Sequence, residues 1–257
     1  MQLRAQYHAF VTLLVKEVMR FVRIWVQTVL PAAITMALYF IIFGNLIGSQ
    51  LSDVHGHRYI DYIVPGIILM AVINNAYANV VSSFFGAKFQ RHVEEMLVSP
   101  MPNYLILSGF IAGGVARGLV VGAVVTLVAS FFVELQFASL GLTVLVLLLT
   151  AILFATAGFI NAVYAKTFDD ISIIPTFVLT PLTYLGGVFY SIDMLPEFWQ
   201  SLSLGNPILY MVNAMRYGML GVADIDVLTA LAIILAFVVG LFVFALWLLQ
   251  RGIGIRT

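Results

Sequence analysis

The sequence predicts an all-α integral membrane protein with six transmembrane helices, and three observations carry that prediction. Of the 257 residues, 62% are hydrophobic and 9% charged, where a soluble domain carries about 25% charged residues. Six stretches, 25–47, 59–85, 104–133, 140–163, 171–190 and 227–249, are long and apolar enough to cross a hydrocarbon core about 30 Å thick, which takes ~20 residues of helix. The remaining charges are asymmetric. Arg4, Lys16, Arg20, Arg23, Lys88, Arg91, Lys166, Arg251 and Arg256 fall on one side of this layout and only Arg58 and Arg216 on the other, so the positive-inside rule places both termini in the cytoplasm.

Lys plus Arg equals Asp plus Glu at 12 each, so no bulk charge points to nucleic acid. Without cysteine the chain has no disulfide framework and no thiolate chemistry. Lys16, Glu17, Arg20 and Arg23 interrupt the N-terminal stretch, which is therefore not expected to be a cleaved signal. With no internal repeat or linker, residues 1–257 read as one membrane domain.

In residues 1–23, Thr12, Lys16, Arg20 and Arg23 recur at spacings of four, four and three, with Leu14, Val18, Phe21 and Val22 opposite. This predicts an amphipathic interfacial helix, its basic face toward headgroups and cytosol and its apolar face toward the acyl chains. Span two carries Asn75, Asn79 and Ser82 on one face, beside Asn74, Tyr77 and Ser83. Span five carries Thr176, Thr180, Thr183 and Tyr184 at comparable spacing. Such stripes either line a path or bond across helix interfaces. A dimer would enclose both, which makes them the candidates for a translocation path or dimer interface.

Residues 86–99 join spans two and three. Phe85, Phe89, Val93, Met96 and Leu97 make an apolar stripe, Lys88, Arg91, Glu94 and Glu95 are charged, and Pro100 and Pro102 stop the helix. The pattern suits docking of a soluble partner, and a solvated connector would show it too. Arg117 is the ionisable side chain deepest in a span. Residues 118–133 alone nearly cross, so it is expected to snorkel at the cytosolic boundary rather than form a substrate site. No span offers a carboxylate at depth, which argues against a carrier coupled to protons or sodium. Pro175 and Pro181 should bend span five.

Residues 191–226 are too polar and broken to span. Pro196 and Pro207 suit first helical positions, Asn206 an N-cap, and Gly218 and Gly221 helix stops, giving two short helices folded back into the outer leaflet. Trp199, Asn206, Pro207, Tyr210 and Arg216 mark this segment as an outer gate.

Neither a Gly-x-x-x-x-Gly-Lys-Ser/Thr phosphate loop nor a His-Glu-x-x-His motif occurs. The chain is therefore not expected to hydrolyse ATP alone or to hold a cofactor. Asp53, His55 and His57 share a glycine-containing loop, and no metal site is expected there. Asp169 and Asp170 are expected to cap the N-terminus of span five, with a second partner contact as the other reading.

The stretch from Leu179 to Arg216 resembles the signature of the ABC-2 family of exporter permeases in Leu179, Leu182, Leu185, Gly186, Val188, Leu195, Pro196, Pro207, Ile208, Tyr210 and Arg216. The tracts from Phe21 to Gly48, Gly86 to Glu95 and Ala165 to Gly187 look like the YadH-type bacterial inner-membrane permeases, so the likeness covers nearly the whole chain. The resemblance implies a six-helix permease with a cytosolic interfacial helix, a coupling helix over 86–99 and outer re-entrant helices. It also implies a soluble ABC ATPase subunit that binds MgATP, a second permease copy, expected to be identical, and location in the bacterial inner membrane. On this reading Lys88, Arg91, Glu94, Glu95, Asp169 and Asp170 are the ATPase-coupling candidates. Composition and spacing by themselves leave open an autonomous channel or secondary transporter, or a membrane scaffold, and no cargo is implied.

Overall fold

The computed structural model describes residues 2–47 and 53–254, whose regular elements are all helices. They are α1 (Gln2–Arg23), α2 (Trp25–Tyr39), α3 (Tyr59–Phe89), α4 (His92–Val98), α5 (Asn103–Ala129), α6 (Leu140–Tyr164), α7 (Asp170–Ile174), α8 (Thr180–Leu185), α9 (Glu197–Ser203), α10 (Pro207–Leu220) and α11 (Val227–Arg251). A π-helical stretch, Phe40–Ile47, extends α2, and another, Pro175–Leu179, joins α7 to α8. Arg256 and Gly48, used in the sequence argument, lie outside the described residues.

Among the described residues, five helices are long and apolar enough to cross a membrane: α2 with its extension, α3, α5, α6 and α11. The fifth expected span is shorter. The α7–α8 unit runs over Asp170–Leu185, roughly 24 Å at 1.5 Å per residue. It ends before Tyr190 because the N–H of Gly186 closes on the carbonyl of Thr183 and Gly187 turns the chain at φ 72°. The expected proline distortion is local: the π turn begins at Pro175, and the Thr180 hydroxyl donates to the Pro175 carbonyl at 2.9 Å.

Helix α3 occupies the centre, packed against α5, α6 and α10. Close approach of backbones explains the glycine-rich run of α5. A Cβ on Gly114 would lie 2.5 Å from Val80 Cγ2 and 2.9 Å from the Ala76 carbonyl oxygen, and one on Gly118 would lie 3.0 Å from Ala76 Cβ. Those glycines seat α5 on α3. Gly109 and Gly113, on a neighbouring face, meet Leu13 and Glu17 of α1. Without a hydrophobic force between helices in lipid, such small-residue faces set the contact.

That contact corrects the expectation for the N-terminal helix. Leu13, Glu17 and Phe21, four residues apart, are buried, and Leu13 and Glu17 pack against Gly109 and Gly113 of α5 instead of lying on lipid alone. Two boundaries also move. Helix α3 runs on to Phe89, and Arg91 in the left-handed region (φ 63°) breaks the single helix expected over 86–99, leaving the short α4. Helix α5 stops at Ala129, where Ser130–Phe132 form a turn.

At the opposite end from α4, the segment before α11 folds as expected into two short helices, α9 and α10. The Asn206 side chain accepts from the N–H of Ile208 and donates to the Leu182 carbonyl at 2.6 Å, and Gly221 closes α10 in the left-handed region. Gly218 is not a stop. It lies within α10, where a Cβ would meet Thr143 Oγ1 at 2.6 Å. Helix α10 is buried along most of its length against α3, α6 and α11.

Candidate functional site

At the α4 end, Val93 is buried and anchors α4, while Arg91, Glu94 and Glu95 face solvent. Beside them Phe89, exposed along with Phe168, packs in tilted ring contacts with Phe168 and Phe85 at ring-centroid distances of 5.2 and 6.2 Å. The loop before α7 is thereby held against the end of α3. The other coupling candidates make internal contacts. Lys88 Nζ donates to the carbonyls of Val163 (2.6 Å) and Ala165 (2.7 Å), completing the C-terminus of α6. Asp170 accepts from the N–H groups of Lys166 (2.8 Å) and Thr167 (3.0 Å) in the preceding loop, and Asp169 makes no side-chain cap. The expected capping of span five by these two carboxylates is therefore not the arrangement found.

Between α3 and α7 runs a groove of about 430 Å³, with Asn74, Tyr77, Val81 and Ser82 on one wall and Phe168, Ile171, Thr176 and Leu179 on the other. Thr176, Thr180 and Tyr184 lie on the exposed face of the α7–α8 unit, whereas Thr183 is buried and donates to the Leu179 carbonyl. The two polar stripes meet only in part. Asn74, Ser82 and Thr176 share the groove, but Asn75 and Asn79 turn toward α5 and α1.

There they form a seam whose key member, Glu17, sequence reasoning passed over. Arg20 Nη2 donates to the carbonyl oxygen (2.7 Å) and Oδ1 (2.8 Å) of Asn79, and Nη1 to Ser82 Oγ at 3.3 Å. Ser83 Oγ donates to Glu17 Oε2 at 2.6 Å, and Glu17 lies 3.5 Å from Arg20. One turn along α3, Arg117 Nε and Nη2 donate to Asn75 Oδ1 at 3.3 and 3.1 Å. Because α5 ends at Ala129, the stretch after Arg117 spans only ~18 Å of helix. Arg117 therefore sits within the bundle, held by an amide, and does not snorkel at a boundary. The available signal for Glu17 was its place in a Leu13, Glu17, Phe21 series facing Gly109 and Gly113 at the same spacing of four.

At the α9 end, Arg216 is 1% exposed. Its guanidinium lies 3.8 Å over the Tyr62 ring, Nη2 donates to the Gly187 carbonyl at 2.8 Å, and Nη1 is 3.7 Å from Asp224. It locks α10 into the bundle and does not face the mouth. Trp199 is exposed, and the Tyr210 hydroxyl donates to the Leu204 carbonyl at 2.7 Å. Asp226 caps α11, and donation from the Thr229 N–H and hydroxyl holds its carboxyl below the usual carboxylate range.

A model of the ABC-2 type transporter family matches residues 8–220. The chain is 58% identical over 242 residues to the inner membrane transport permease YadH of Escherichia coli strain K12, covering 94% of each chain. It is 26% identical over 215 residues to nodulation protein J of Rhizobium leguminosarum bv. trifolii, covering 83% of this chain and 82% of that one. The same-named protein of Sinorhizobium fredii is 25% identical over 209 residues, covering 81% and 80%. With its apolar helices, the chain belongs to the ABC-2 type transporter family, as a membrane-embedded permease subunit of an ATP-binding cassette exporter.

Proposed function

We propose that two copies of this permease assemble with two soluble ABC ATPases in the bacterial inner membrane, that α4 is the ATPase contact, and that cargo moves along the α3–α7 groove where the second copy closes it. The observation that carries the reading is α4 itself: Val93 ties it to the bundle while Arg91, Glu94 and Glu95 remain free toward solvent. ATP, as its magnesium complex, is bound by the partner. This chain supplies the path, and rigid-body movement of the docked subunit reaches α3 and α5 through α4.

Charge supports placing the α4 end and both termini in the cytoplasm. The arginines at the α9 end each have a carboxylate neighbour, Arg58 with Asp61 at 2.8 Å and Arg216 with Asp224 at 3.7 Å, whereas Arg91 and Arg251 at the α4 end make no ion pair among the described residues. The test is co-expression with candidate soluble ATPases followed by purification in detergent. A stable complex containing both chains is expected, and a permease recovered only alone, with every such ATPase, overturns the reading.

A further inference from the structure

The loop triad Asp53, His55 and His57 is not what the fold brings together. His55 instead meets Asp193, from the turn Ile192–Met194 after α8, and Asp224, from the loop after α10, with one donor atom from each within 4.8 Å of the others. Three chain segments that close the α9 end thus converge on one point. We propose that His55, Asp193 and Asp224 bind a divalent transition-metal ion, zinc by fit, that clamps the α2–α3 loop to the α9–α10 segment.

Three observations support it. His55 Nε2 and Asp224 Oδ1 stand 3.4 Å apart, too far for a strong hydrogen bond. Two ligands on a tetrahedral zinc at ~2.0–2.1 Å lie about 3.3 Å from each other. The Tyr62 hydroxyl is buried and makes no hydrogen bond of good geometry, since the Ser191 hydroxyl near it donates to Asp224 Oδ2 instead. Its ring lies under both His55, at a centroid distance of 6.0 Å, and Arg216, and the carboxylates of Asp193 and Asp224 are its electrostatic neighbours. A buried polar group of this kind is expected to have a partner, and a water completing the metal's coordination would provide one. Thirdly, Asp224 is held from behind: Ser191 Oγ donates to Oδ2 at 3.0 Å, Arg216 lies on that same oxygen, and Asn213 Oδ1 accepts the Asp224 N–H at 2.8 Å. Oδ1 is left facing His55 and Asp193, and outer contacts of this kind orient a metal ligand. One imidazole with two carboxylates suits zinc better than calcium or magnesium, which prefer all-oxygen sites. The Arg216 charge offsets one carboxylate and leaves the site net negative.

The experiment uses the full-length permease in detergent, stripped with chelator, loaded with zinc, desalted and assayed for bound metal and for thermal unfolding. Wild type is expected to retain one zinc per chain and to unfold at a higher temperature when loaded. His55→Gln and Asp193→Asn, both at exposed positions, are each expected to weaken zinc binding 10-fold or more and to abolish the shift. His57→Gln should behave as wild type. Failure of the wild type to retain zinc, retention unchanged in both ligand variants, or loss in His57→Gln alone would each overturn the assignment. None of these outcomes bears on ATPase docking.

Discussion

Helices α3 and α11 are both long enough to cross a bilayer, yet they are built on opposite plans. In α3, 22 of the 31 residues are buried, including Asn79 and Ser83. In α11 only Ala230, Ile234, Val238, Ala245, Leu248 and Leu249 are buried, and Leu228, Val239, Val243 and other large apolar groups point outward. The more polar helix is the inner one. In water the arrangement would be reversed. In lipid an apolar side chain gains nothing by leaving the acyl chains, so close packing and hydrogen bonding decide which helix goes inside. Polar and small residues therefore mark the contact faces of this protein, and uniform apolarity marks its outer wall.

The largest test of that contrast is Arg216→Leu. It should leave the Asp224 carboxylate buried without its cation and the Tyr62 ring without its cover, a loss of about 3–5 kcal/mol. Little monodisperse protein should be recovered from membranes. Recovery and a melting temperature equal to wild type would mean that the guanidinium does not lock α10.

A sharper comparison uses two glycines. Gly114 has no room for a Cβ against α3, whereas Gly240 on α11 has open space around it. Valine adds the same apolar volume to both helices and serves lipid equally well. Gly114→Val should cost about 1–3 kcal/mol by forcing α5 away from Val80 and the Ala76 carbonyl, and Gly240→Val should stay within about 0.5 kcal/mol. Thermal unfolding in one detergent measures both, and equal shifts would erase the distinction between inner and outer helices.

How much of this was legible in the sequence follows from what periodicity can encode. It gives the face of a helix and not the helix that covers it. The stripe Asn75, Asn79 and Ser82 was plain, but its partners Arg20 and Arg117 come from elements that precede and follow it. The basic spacing of α1 pointed to a membrane surface, while Glu17, hidden in the apolar series, shows a helix packed against α5. Composition also carried spans too far at Phe131 to Val133, where apolar residues form a turn, and at Gly186 to Tyr190, where Gly187 redirects the chain. Caps were the easiest to read. Asn206, Pro207 and Gly221 act as their chemistry demands because capping needs only neighbours in sequence.

A smaller effect is expected at the seam. Asn79→Ala removes the side-chain acceptor of Arg20 while leaving the Asn79 carbonyl in place. Loss of one charge-assisted hydrogen bond in a group that keeps another should cost about 1.5 kcal/mol. If stability is unchanged, α1 is held by apolar contact such as Leu13 on Gly109 of α5, and polar contact is not what places it.

The smallest effect on folding, and the most informative on function, belongs to α4, where the buried plan of α3 gives way to solvent within a few residues. Glu94 and Glu95 are exposed and make no ion pair among the described residues. Replacing both by Lys should therefore shift stability by no more than about 0.5 kcal/mol. If α4 is the ATPase contact, the same change turns attraction into like-charge repulsion, which can cost several kcal/mol at an interface. Recovery of the ATPase with the purified permease should fall, or cargo-dependent hydrolysis should be lost at normal expression. Glu197→Lys on α9 supplies the control, since it reverses one carboxylate, half the charge change of the double variant, at the opposite end of the bundle and should leave docking intact. Equal docking by the double variant and by this control would remove α4 from the interface. It would also separate the packing argument for α3, which would stand, from the functional argument for the helix that follows it, which would not.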